Sequence, residues 1–424
     1  GKKLFPICRS ITGLGAKKTL QIIKKEFSNL KIYKIKSGKK IYDWKIPPEW
    51  NIKEAYVKDK YGKKIINFKN NNLHLIGYSI PIKKLITKKE FFSHLYTLKR
   101  QPNAIPYITS YYKKYWGFCV KHKDKDVFDK KYKNDKDVFE ININSSLNKK
   151  GSLSYGELVI PGESKKEILI STNICHPSMA NNELSGPLVS AALAKYFLST
   201  KLNPKTLRFV FIPETIGSIT YLSKNLKKLK KNVIAGYNLS CIGDNREYSY
   251  LPTKYGNTIS DRAAIKAFKD LKIKYVGYSF LQRGSDERQY NSPGIDLPIA
   301  SIFRTKHGEY PEHHTSLDNF NVVTKKGLMG GYKIVKKAID IIMKNYIPKS
   351  TFLCEPQMSK RGLYPSLSKF VRSNYNLPSR HLLNFLQYAD GTNDLNDISN
   401  YTRSSFDHTH KIFKLMLKSK LIKL

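Results

Sequence analysis

The sequence predicts an α/β fold with a mainly parallel sheet flanked by helices, an inserted small β-rich domain and a C-terminal winged helix. Three observations support this prediction. Between about residues 165 and 346, nearly continuous apolar segments alternate with helical patterns, which is typical of strands buried on both faces of a sheet. Residues 41–81 contain short β-prone runs separated by turn residues. Residues 382–424 contain three short helical patterns and a final strand candidate.

The predicted strands of the main sheet are apolar along most of their length, and they comprise residues 167–173, 206–212, 233–239 and 297–303. The predicted helices comprise residues 15–30, 187–198, 261–271 and 326–345. Ser185 can cap the second of these helices, and Pro187 lies in its first turn, where a missing N–H costs no hydrogen bond.

Changes of composition along the chain predict three domains. The α/β domain would be discontinuous, from residues 1–37 and 133–348, because the β-rich residues 38–132 interrupt it. The charged segment 121–136 is predicted to form a surface hairpin or loop. Residues 349–424 would form the winged helix-turn-helix domain, with helices at 382–389, 394–401 and 406–418 and a strand at 420–424.

The chain of 424 residues is strongly basic, with 76 Lys+Arg against 33 Asp+Glu and a formal charge of +43. Its lysines are scattered through every segment, which indicates a compositional bias more than a nucleic-acid-binding stripe. The candidate recognition helix 406–418 has no Arg or Asn for bidentate contacts to bases. We therefore interpret the winged helix as a packing or dimerisation module, and we expect a homo-oligomer that does not bind nucleic acid.

The cellular location is predicted from cysteine usage and hydropathy. Five cysteines, an odd number without a C-x-x-C pair, favour a reducing compartment and hence the cytoplasm. No apolar run approaches the roughly 18 residues of a membrane span. The residues after Gly1 lack the apolar core of a signal peptide, although an export signal upstream of them stays open.

Side chains that can bind metals follow the predicted strands. Cys175-His176, Asn182 and Glu183 follow the first strand, Glu214 the second and Asp244 the third, and His313 and His314 lie in a later loop. In an open α/β sheet, ligands bind beyond the carboxyl ends of the strands. Imidazoles and carboxylates are zinc ligands, and zinc can activate a water that hydrolyses an amide. This placement predicts a metal-dependent hydrolytic site.

Three of these segments resemble the metal-binding landmarks of the di-zinc aminopeptidase family: residues 176–186 with the small-residue helix after them, the Glu214-x-x-Gly217-Ser218 turn, and His314-Thr315-x-x-Asp318. LFPICRSITG at residues 4–13, GSDERQY at 284–290 and GEYP at 308–311 resemble a bacterial family with an aminopeptidase-like domain, an inserted β domain and a C-terminal winged helix. The resemblance implies a zinc-exopeptidase-like sheet, one or two zinc ions and a peptide-like or amide substrate.

The resemblance also implies residue roles. His176 matches the first histidine ligand and His314 the last, while Glu214, the general base, stands alone where the aminopeptidases have two glutamates. Asn182 occupies the position of the bridging aspartate, so Glu183 would replace it, and Asp244 lies near the position of another ligand. Two alternatives follow: a rearranged site with His176, Glu183, Glu214, Asp244 and His314, or a site that has lost one metal and its peptidase activity.

Other residues are candidates for substrate recognition. Arg283, Asp286, Glu287 and Arg288 lie in a loop that the resemblance also marks, and they would bind substrate or form a surface ion-pair cluster. Glu309 would bind a substrate amine or cap its loop. The aromatic cluster Tyr111, Tyr112, Tyr115 and Trp116 would line the cleft or pack in a core.

The sequence thus favours a zinc-dependent hydrolase acting on a small amide-linked substrate. The alternative is a non-catalytic ligand-binding protein or a DNA-binding regulator on a peptidase-like scaffold. The resembling family is thought to accompany surface-polysaccharide biosynthesis, which nothing in the residues themselves indicates.

Overall fold

The structure is a computed structural model that describes residues 1–200, 203–364 and 378–424. Its residues form two compact units: Gly1–Thr258 with Tyr275–Lys333, and Ile259–Lys274 with Ile334–Leu424. The contacts do not separate the β-rich residues 38–132 from the rest of the first unit. The three-domain division therefore stays a prediction, and residues 365–377 of its last domain lie outside the described residues.

The strands, in chain order, are β1 Lys31–Lys36, β2 Lys40–Ile41, β3 Trp44–Lys45, β4 Glu49–Lys58, β5 Lys64–Asn67, β6 Ile82–Thr87, β7 Leu95–Tyr96, β8 Phe118–Cys119, β9 Val138–Asn148, β10 Ser152–Ile160, β11 Ser164–Asn173, β12 Lys205–Ile212, β13 Val233–Leu239, β14 Ser249–Leu251, β15 Val276–Gly277, β16 Ile299–Phe303, β17 Lys349–Ser350 and β18 Ile422–Lys423. The helices are α1 Leu14–Glu26, α2 Lys88–Ser93, α3 His122–Lys131, α4 Ser185–Ser199, α5 Ile216–Asn232, α6 Ile259–Asp270, α7 Glu287–Tyr290, α8 Lys325–Met343, α9 Pro378–Tyr388, α10 Leu395–Tyr401 and α11 Phe406–Lys418.

The main sheet confirms the predicted α/β class. Within the described residues its strand order is β1-β10-β12-β11-β13-β16-β14-β15. The four central strands β12, β11, β13 and β16 are parallel and contain the four predicted apolar segments almost entirely. Antiparallel pairings of β10 with β1 and β12, and of β14 with β16, make the sheet mixed away from its centre. Helices α1, α4 and α5 contact this sheet.

Buried ion pairs connect three neighbouring strands of the main sheet. Arg208 of β12 donates to Glu157 of β10 at 2.6 Å and to Glu167 of β11 at 2.6 and 2.8 Å. All three residues are buried. The two carboxylates neutralise the guanidinium, so a charged residue is accommodated in a strand that is otherwise apolar.

A second sheet, with the order β5-β4-β9-β6, is formed by the β-rich segment. Its strand β9 pairs with β4 and β6 but begins at residue 138, so this sheet extends beyond the boundary predicted at residue 132. Its buried side chains, such as Trp50 and Ile141, belong to the same apolar cluster as Leu169 and Val210 of the main sheet. One continuous core therefore supports both sheets.

The prediction of a hairpin or loop at residues 121–136 is wrong, because α3 spans His122–Lys131. Lys125 and Asp129 form an i,i+4 ion pair at 2.7 Å on its surface. Phe128 is the buried residue of this helix. One buried apolar residue gives too weak a hydrophobic periodicity to predict a helix in so highly charged a segment.

The second unit contains the winged-helix elements. The predicted helices 382–389, 394–401 and 406–418 correspond to α9, α10 and α11, and β18 pairs with β17 in an antiparallel ribbon. Asp394 begins α10 with a capping box that includes Asp397. Arg262 of α6 forms ion pairs with both aspartates, at 3.0 and 2.8 Å.

In the described part of the chain, no helix has both the length and the apolar character that crossing a bilayer requires.

Candidate active site

The sheet register brings two chemically active side chains to neighbouring positions. Asn173, the last residue of β11, lies opposite Ile212, the last residue of β12. His176 follows the first of these by three residues and Glu214 follows the second by two. The closest approach between the two side chains joins His176 Nε2 and Glu214 Oε2, at 3.6 Å. The carboxyl edge of the parallel strands is therefore the floor of the candidate site.

His176 is buried between two carboxylates. Its Nδ1–H donates to Glu183 Oε2 at 2.6 Å, which leaves Nε2 on the side of Glu214. Burial lowers the pKa of His176, but Cys175 and Glu183 outweigh that effect, and the pKa lies well above its ordinary value. A carboxylate on Nδ1 fixes the ring orientation and the tautomer, an arrangement common behind metal-binding histidines.

Glu214 is oriented by the residues around its second oxygen. Ser285 donates to Glu214 Oε1 at 2.7 Å and Asn173 donates to the same atom at 3.2 Å. The next residue, Thr215, has φ 64° and ψ −80°, a conformation that is costly for a residue with a β-branched side chain. Asp286 stabilises this turn by accepting from the Thr215 N–H at 2.7 Å. The strained turn presents Glu214 at the strand end.

His314 is the second histidine of the cavity. Its ring centroid lies 5.4 Å from that of His176, and Tyr107 makes edge contacts with both rings at 5.2 and 5.3 Å. His313 stacks on His314 at 3.9 Å. Burial and the neighbouring histidines lower the pKa of His314 to about 2, so its imidazole is neutral and can bind a metal.

These three side chains share one cavity of about 400 Å³. Its other walls are mainly aromatic and apolar, and its lining residues are Ile11, Trp44, Tyr107, Thr109, Tyr111, Tyr112, Cys175, His176, Glu214, Thr215, Ile216, Arg288 and His314. A larger groove of about 1000 Å³ between α4 and α8 is lined by apolar side chains and three lysines, without His, Cys, Asp or Glu among its described lining residues. The smaller cavity is therefore the candidate site, because it contains histidines and a carboxylate.

Several predicted ligands lie outside this cavity. Glu183 is fully buried behind His176, on the opposite ring nitrogen from Glu214. The side-chain amide of Asn182 contacts the sulfur atoms of Met179 and Cys241, at 3.8 and 3.7 Å. Asp244 accepts hydrogen bonds from Asn181, Thr305 and Arg246 through both of its oxygens.

The predicted substrate-binding residues also have other contacts. Arg283 is exposed and lies over the ring of Phe280. Asp286 and Glu287 are fully buried, and Glu287 accepts from the N–H groups of Gly284 and Ser285 at 2.8 and 3.0 Å. Glu309 lies 3.5 Å from Lys306. None of these four residues lines the cavity, whereas Arg288, which was predicted with them, does. In the aromatic cluster, Tyr111 and Tyr112 line it, whereas Tyr115 and the buried Trp116 do not.

Comparison with known proteins places this architecture in a family. Residues 1–345 match the model of a family described as a domain of unknown function, DUF4910, and residues 346–424 match a winged helix-turn-helix family. The chain belongs to the DUF4910 family. A Clostridium acetobutylicum protein is 41% identical over 430 residues, covering 100% of this chain and 95% of the relative. Its name assigns it provisionally to polysaccharide biosynthesis, with an aminopeptidase-like domain.

Solved structures agree with the fold of this DUF4910 chain. A Clostridium acetobutylicum crystal structure, described provisionally as a peptidase, has a TM-score of 0.90 and 40% identity, covering 100% of this chain and 94% of the other. A zinc aminopeptidase of Bacillus subtilis has a TM-score of 0.59 and 13% identity, over 80% and 91% of the two chains. An M28 peptidase precursor of Shewanella amazonensis has a TM-score of 0.56 and 12% identity, over 79% and 90%. These last two show a shared fold alone.

The cavity side chains of this DUF4910 chain can be compared with the ligands that zinc prefers. His176 Nε2 and His314 bring two imidazoles to one cavity, and imidazoles are zinc ligands. The carboxylate of Glu214 lies beside them. In the described part of the chain, the group whose donor atoms all lie within 4.8 Å of one another is Cys175, His176 and Glu183, and the donor atoms of His176, His314 and Glu214 do not all lie within this distance. Cys175 and Glu183 contact His176 at Nδ1, the ring nitrogen opposite the one nearest Glu214. The donors that face the cavity match zinc in type, and they would have to move closer together to bind one ion.

Sequence reasoning missed two residues of the site. Tyr107 lines the cavity, and Ser285 orients Glu214. Ser285 lay within a segment marked by the family resemblance, so it carried a usable signal. Tyr107 carried none, because its contact with His176 joins residues far apart in the chain.

Proposed function

We propose that this protein is a peptidase-type hydrolase that uses one zinc ion to cleave an amide bond in a small substrate. The observation that carries the proposal is the convergence of His176, His314 and Glu214 in one cavity, with 5.4 Å between the imidazole centroids and 3.6 Å between His176 Nε2 and Glu214 Oε2. The likeness to zinc aminopeptidase folds is consistent with this chemistry.

His176 and His314 would hold the ion through their cavity-facing nitrogens. Bound zinc would act as a Lewis acid that polarises the substrate carbonyl and favours deprotonation of water. Glu183 does not face the cavity, and its role is to hold the His176 ring through Nδ1. Its second oxygen, Oε1, is buried without a hydrogen-bond partner among the described residues, so its bond to His176 is its main side-chain contact.

Glu214 would serve as the general base. It is the carboxylate among the described lining residues, and Ser285 and Asn173 occupy its Oε1 so that Oε2 is directed to His176. A carboxylate fixed in this way can accept the proton of the attacking water and then pass it to the leaving amine. The cavity volume of about 400 Å³ restricts the substrate to a small molecule or a chain end.

A second zinc ion is not part of the proposal. Asn182 is neutral where the resemblance implies a bridging aspartate, and its amide contacts sulfur atoms. Asp244 already accepts several hydrogen bonds. To bind a second zinc ion, Asn182 and Asp244 would have to lose these contacts.

The biological setting is proposed from the name of the Clostridium acetobutylicum relative, which suggests an amide-linked intermediate of polysaccharide biosynthesis as the substrate. A cytoplasmic location, self-association and the absence of nucleic-acid binding remain predictions from the sequence.

Elemental analysis and one substitution test the proposal. Protein purified without chelators should contain one mole of zinc per chain, and His176→Ala and His314→Ala should each reduce that content. Glu214→Gln should retain zinc but lower turnover of small amides by about 10²- to 10⁴-fold. Glu309→Gln is the matched control, because Glu309 is an exposed glutamate outside the cavity.

Two results would contradict these assignments. Zinc-free protein that gains no hydrolytic activity on zinc addition would reject the hydrolase. Loss of zinc in Glu214→Gln would make Glu214 a ligand instead of the base.

A further inference from the structure

Arg288 is a cation in the cavity wall without an acidic partner. It lies in α7, is half-buried, and donates through Nη2 to the hydroxyl of Thr215, the residue after Glu214. Its Nε has no hydrogen-bond partner, and it forms no ion pair within the described residues. By contrast, buried Arg208 is neutralised by two carboxylates. A guanidinium that lacks such a partner in a cavity is available to a ligand.

The charges around the cavity favour an anionic ligand. Although the chain has 76 Lys+Arg, Arg288 is the single one of them among the described lining residues. Glu214 is the single carboxylate there, and Ser285 and Asn173 already bind one of its oxygens. One permanent cation matches a group with a single negative charge, such as a carboxylate, better than a phosphate dianion.

The two acidic residues of the loop before His314 already have basic neighbours. Glu312 pairs with Arg246 at 2.7 Å, and Glu309 lies near Lys306. A free N-terminal amine would therefore meet the cation Arg288 and two imidazoles without a dedicated acidic partner. Such a site disfavours substrates that must be held by a free amine.

We propose that Arg288 binds a carboxylate adjacent to the scissile amide, so that the substrates are N-acylated amino acids or the C-terminal ends of short peptides. The inference rests on the proposed hydrolase function. The planar guanidinium can bind both oxygens of the carboxylate. Because Arg288 contacts Thr215, a carboxylate held there lies beside the amide on which Glu214 acts. Tyr107, Tyr111 and Trp44 form an apolar wall for the side chain of the same amino acid.

For N-acetyl-L-leucine, the reaction consumes one water, breaks the C–N bond of the amide and releases acetate and leucine. The proton removed from water by Glu214 ends on the leucine amine. N-acetyl-L-leucinamide has the same scissile bond without the carboxylate, and L-leucinamide has a free amine without the carboxylate.

Binding and hydrolysis of these three compounds by the zinc-loaded full-length chain test the proposal. Calorimetry should show N-acetyl-L-leucine binding at least tenfold more tightly than N-acetyl-L-leucinamide. Arg288→Ala should abolish this preference, and Arg288→Lys should restore it in part, because the charge is retained without the two-pronged geometry. Arg283→Ala is the matched control, an exposed arginine of the same loop outside the cavity, and should leave the preference unchanged.

The outcomes separate this inference from the hydrolase proposal. Hydrolysis of L-leucinamide in preference to N-acetyl-L-leucine, or a preference that survives in Arg288→Ala, would overturn the inference while supporting a hydrolase. Arg288-dependent binding without hydrolysis of any compound would support the inference and reject the hydrolase. Inorganic phosphate that competes more strongly than acetate, with the same dependence on Arg288, would overturn the assignment to a carboxylate.

Discussion

Asp318 accepts hydrogen bonds from the backbone N–H groups of Asn181 and Asn182, at 2.6 and 2.9 Å. These N–H groups belong to a single π-helical turn, Ala180–Leu184, that connects the His176 loop to α4. Asp318 follows His314 by four residues, so the contact ties together the two loops that carry the histidines. Tyr310 also donates to Asp318, at 3.0 Å. This contact explains how residues so distant in the chain are kept in one cavity.

The pH dependence of stability should reveal Asp318. Burial raises its pKa to about 6, so the folded protein binds this proton more tightly than the unfolded chain does. The stability of the native protein relative to Asp318→Asn should therefore fall as pH rises from about 4 to 6, by at most about 3 kcal/mol, and be constant above that range. Urea unfolding of both proteins between pH 4 and 7 measures this difference. A difference that increases with pH would contradict the assignment.

Removing the orienting carboxylate of His176 should weaken the proposed metal site. The neutral amide in Glu183→Gln no longer offers the His176 Nδ1–H a charged acceptor. We therefore expect zinc affinity to fall about 10- to 100-fold. Competition with a chromophoric chelator measures the affinity, and circular dichroism checks that the fold is retained. Unchanged affinity in a folded variant would mean that Glu183 is not the residue that orients the ring.

The buried charge network should be important for stability. Arg208→Met leaves Glu157 and Glu167 without their cation, so the free energy of unfolding should fall by about 3–5 kcal/mol. Lys64→Ala is the surface control, because Lys64 and Glu54 are partly exposed and 3.4 Å apart, and it should cost less than about 1 kcal/mol. Equal decreases in the free energy of unfolding of the two variants would contradict a larger contribution from the buried network.

The cysteines should differ in reactivity. Burial raises the pKa of Cys175 to about 11 and also raises the pKa of Cys119 and Cys241, whereas Cys354 is exposed. Iodoacetamide at pH 7.5 should therefore modify Cys354 first. Mass spectrometry of the peptides at successive times measures the order of modification. Rapid modification of Cys175 in the native protein would show that the cavity is more open to solvent than its geometry indicates.

The aromatic pair at the cavity wall should affect substrate binding more than metal binding. Trp44 and Tyr112 have ring centroids 6.0 Å apart, and both are exposed. Trp44→Ala should raise the KM for a small amide several-fold and leave the zinc content at the native value. A loss of zinc would instead assign Trp44 a role in holding the metal site together.

The sequence predicted the parts of this molecule that depend on local patterns. The central strands were evident from their apolar runs, and His176 and Glu214 from their positions just after two of those strands. Long-range contacts were not evident. Asp244 has the chemistry of a ligand, but Thr305, 61 residues later, binds both of its oxygens. Glu183 likewise has ligand chemistry, but its position behind the His176 ring depends on the π-helical turn.

The cavity combines side chains from two parts of the fold. Trp44, Tyr107, Tyr111 and Tyr112 come from the β-rich segment, whereas His176, Glu214 and His314 come from loops of the main α/β fold. Tyr107 contacts both imidazoles, but mutations of the exposed Trp44 and Tyr112 can reshape the wall without disturbing the groups proposed to break the bond. Descendants of one ancestral protein could in this way diversify in the molecules they accept while inheriting the same reaction.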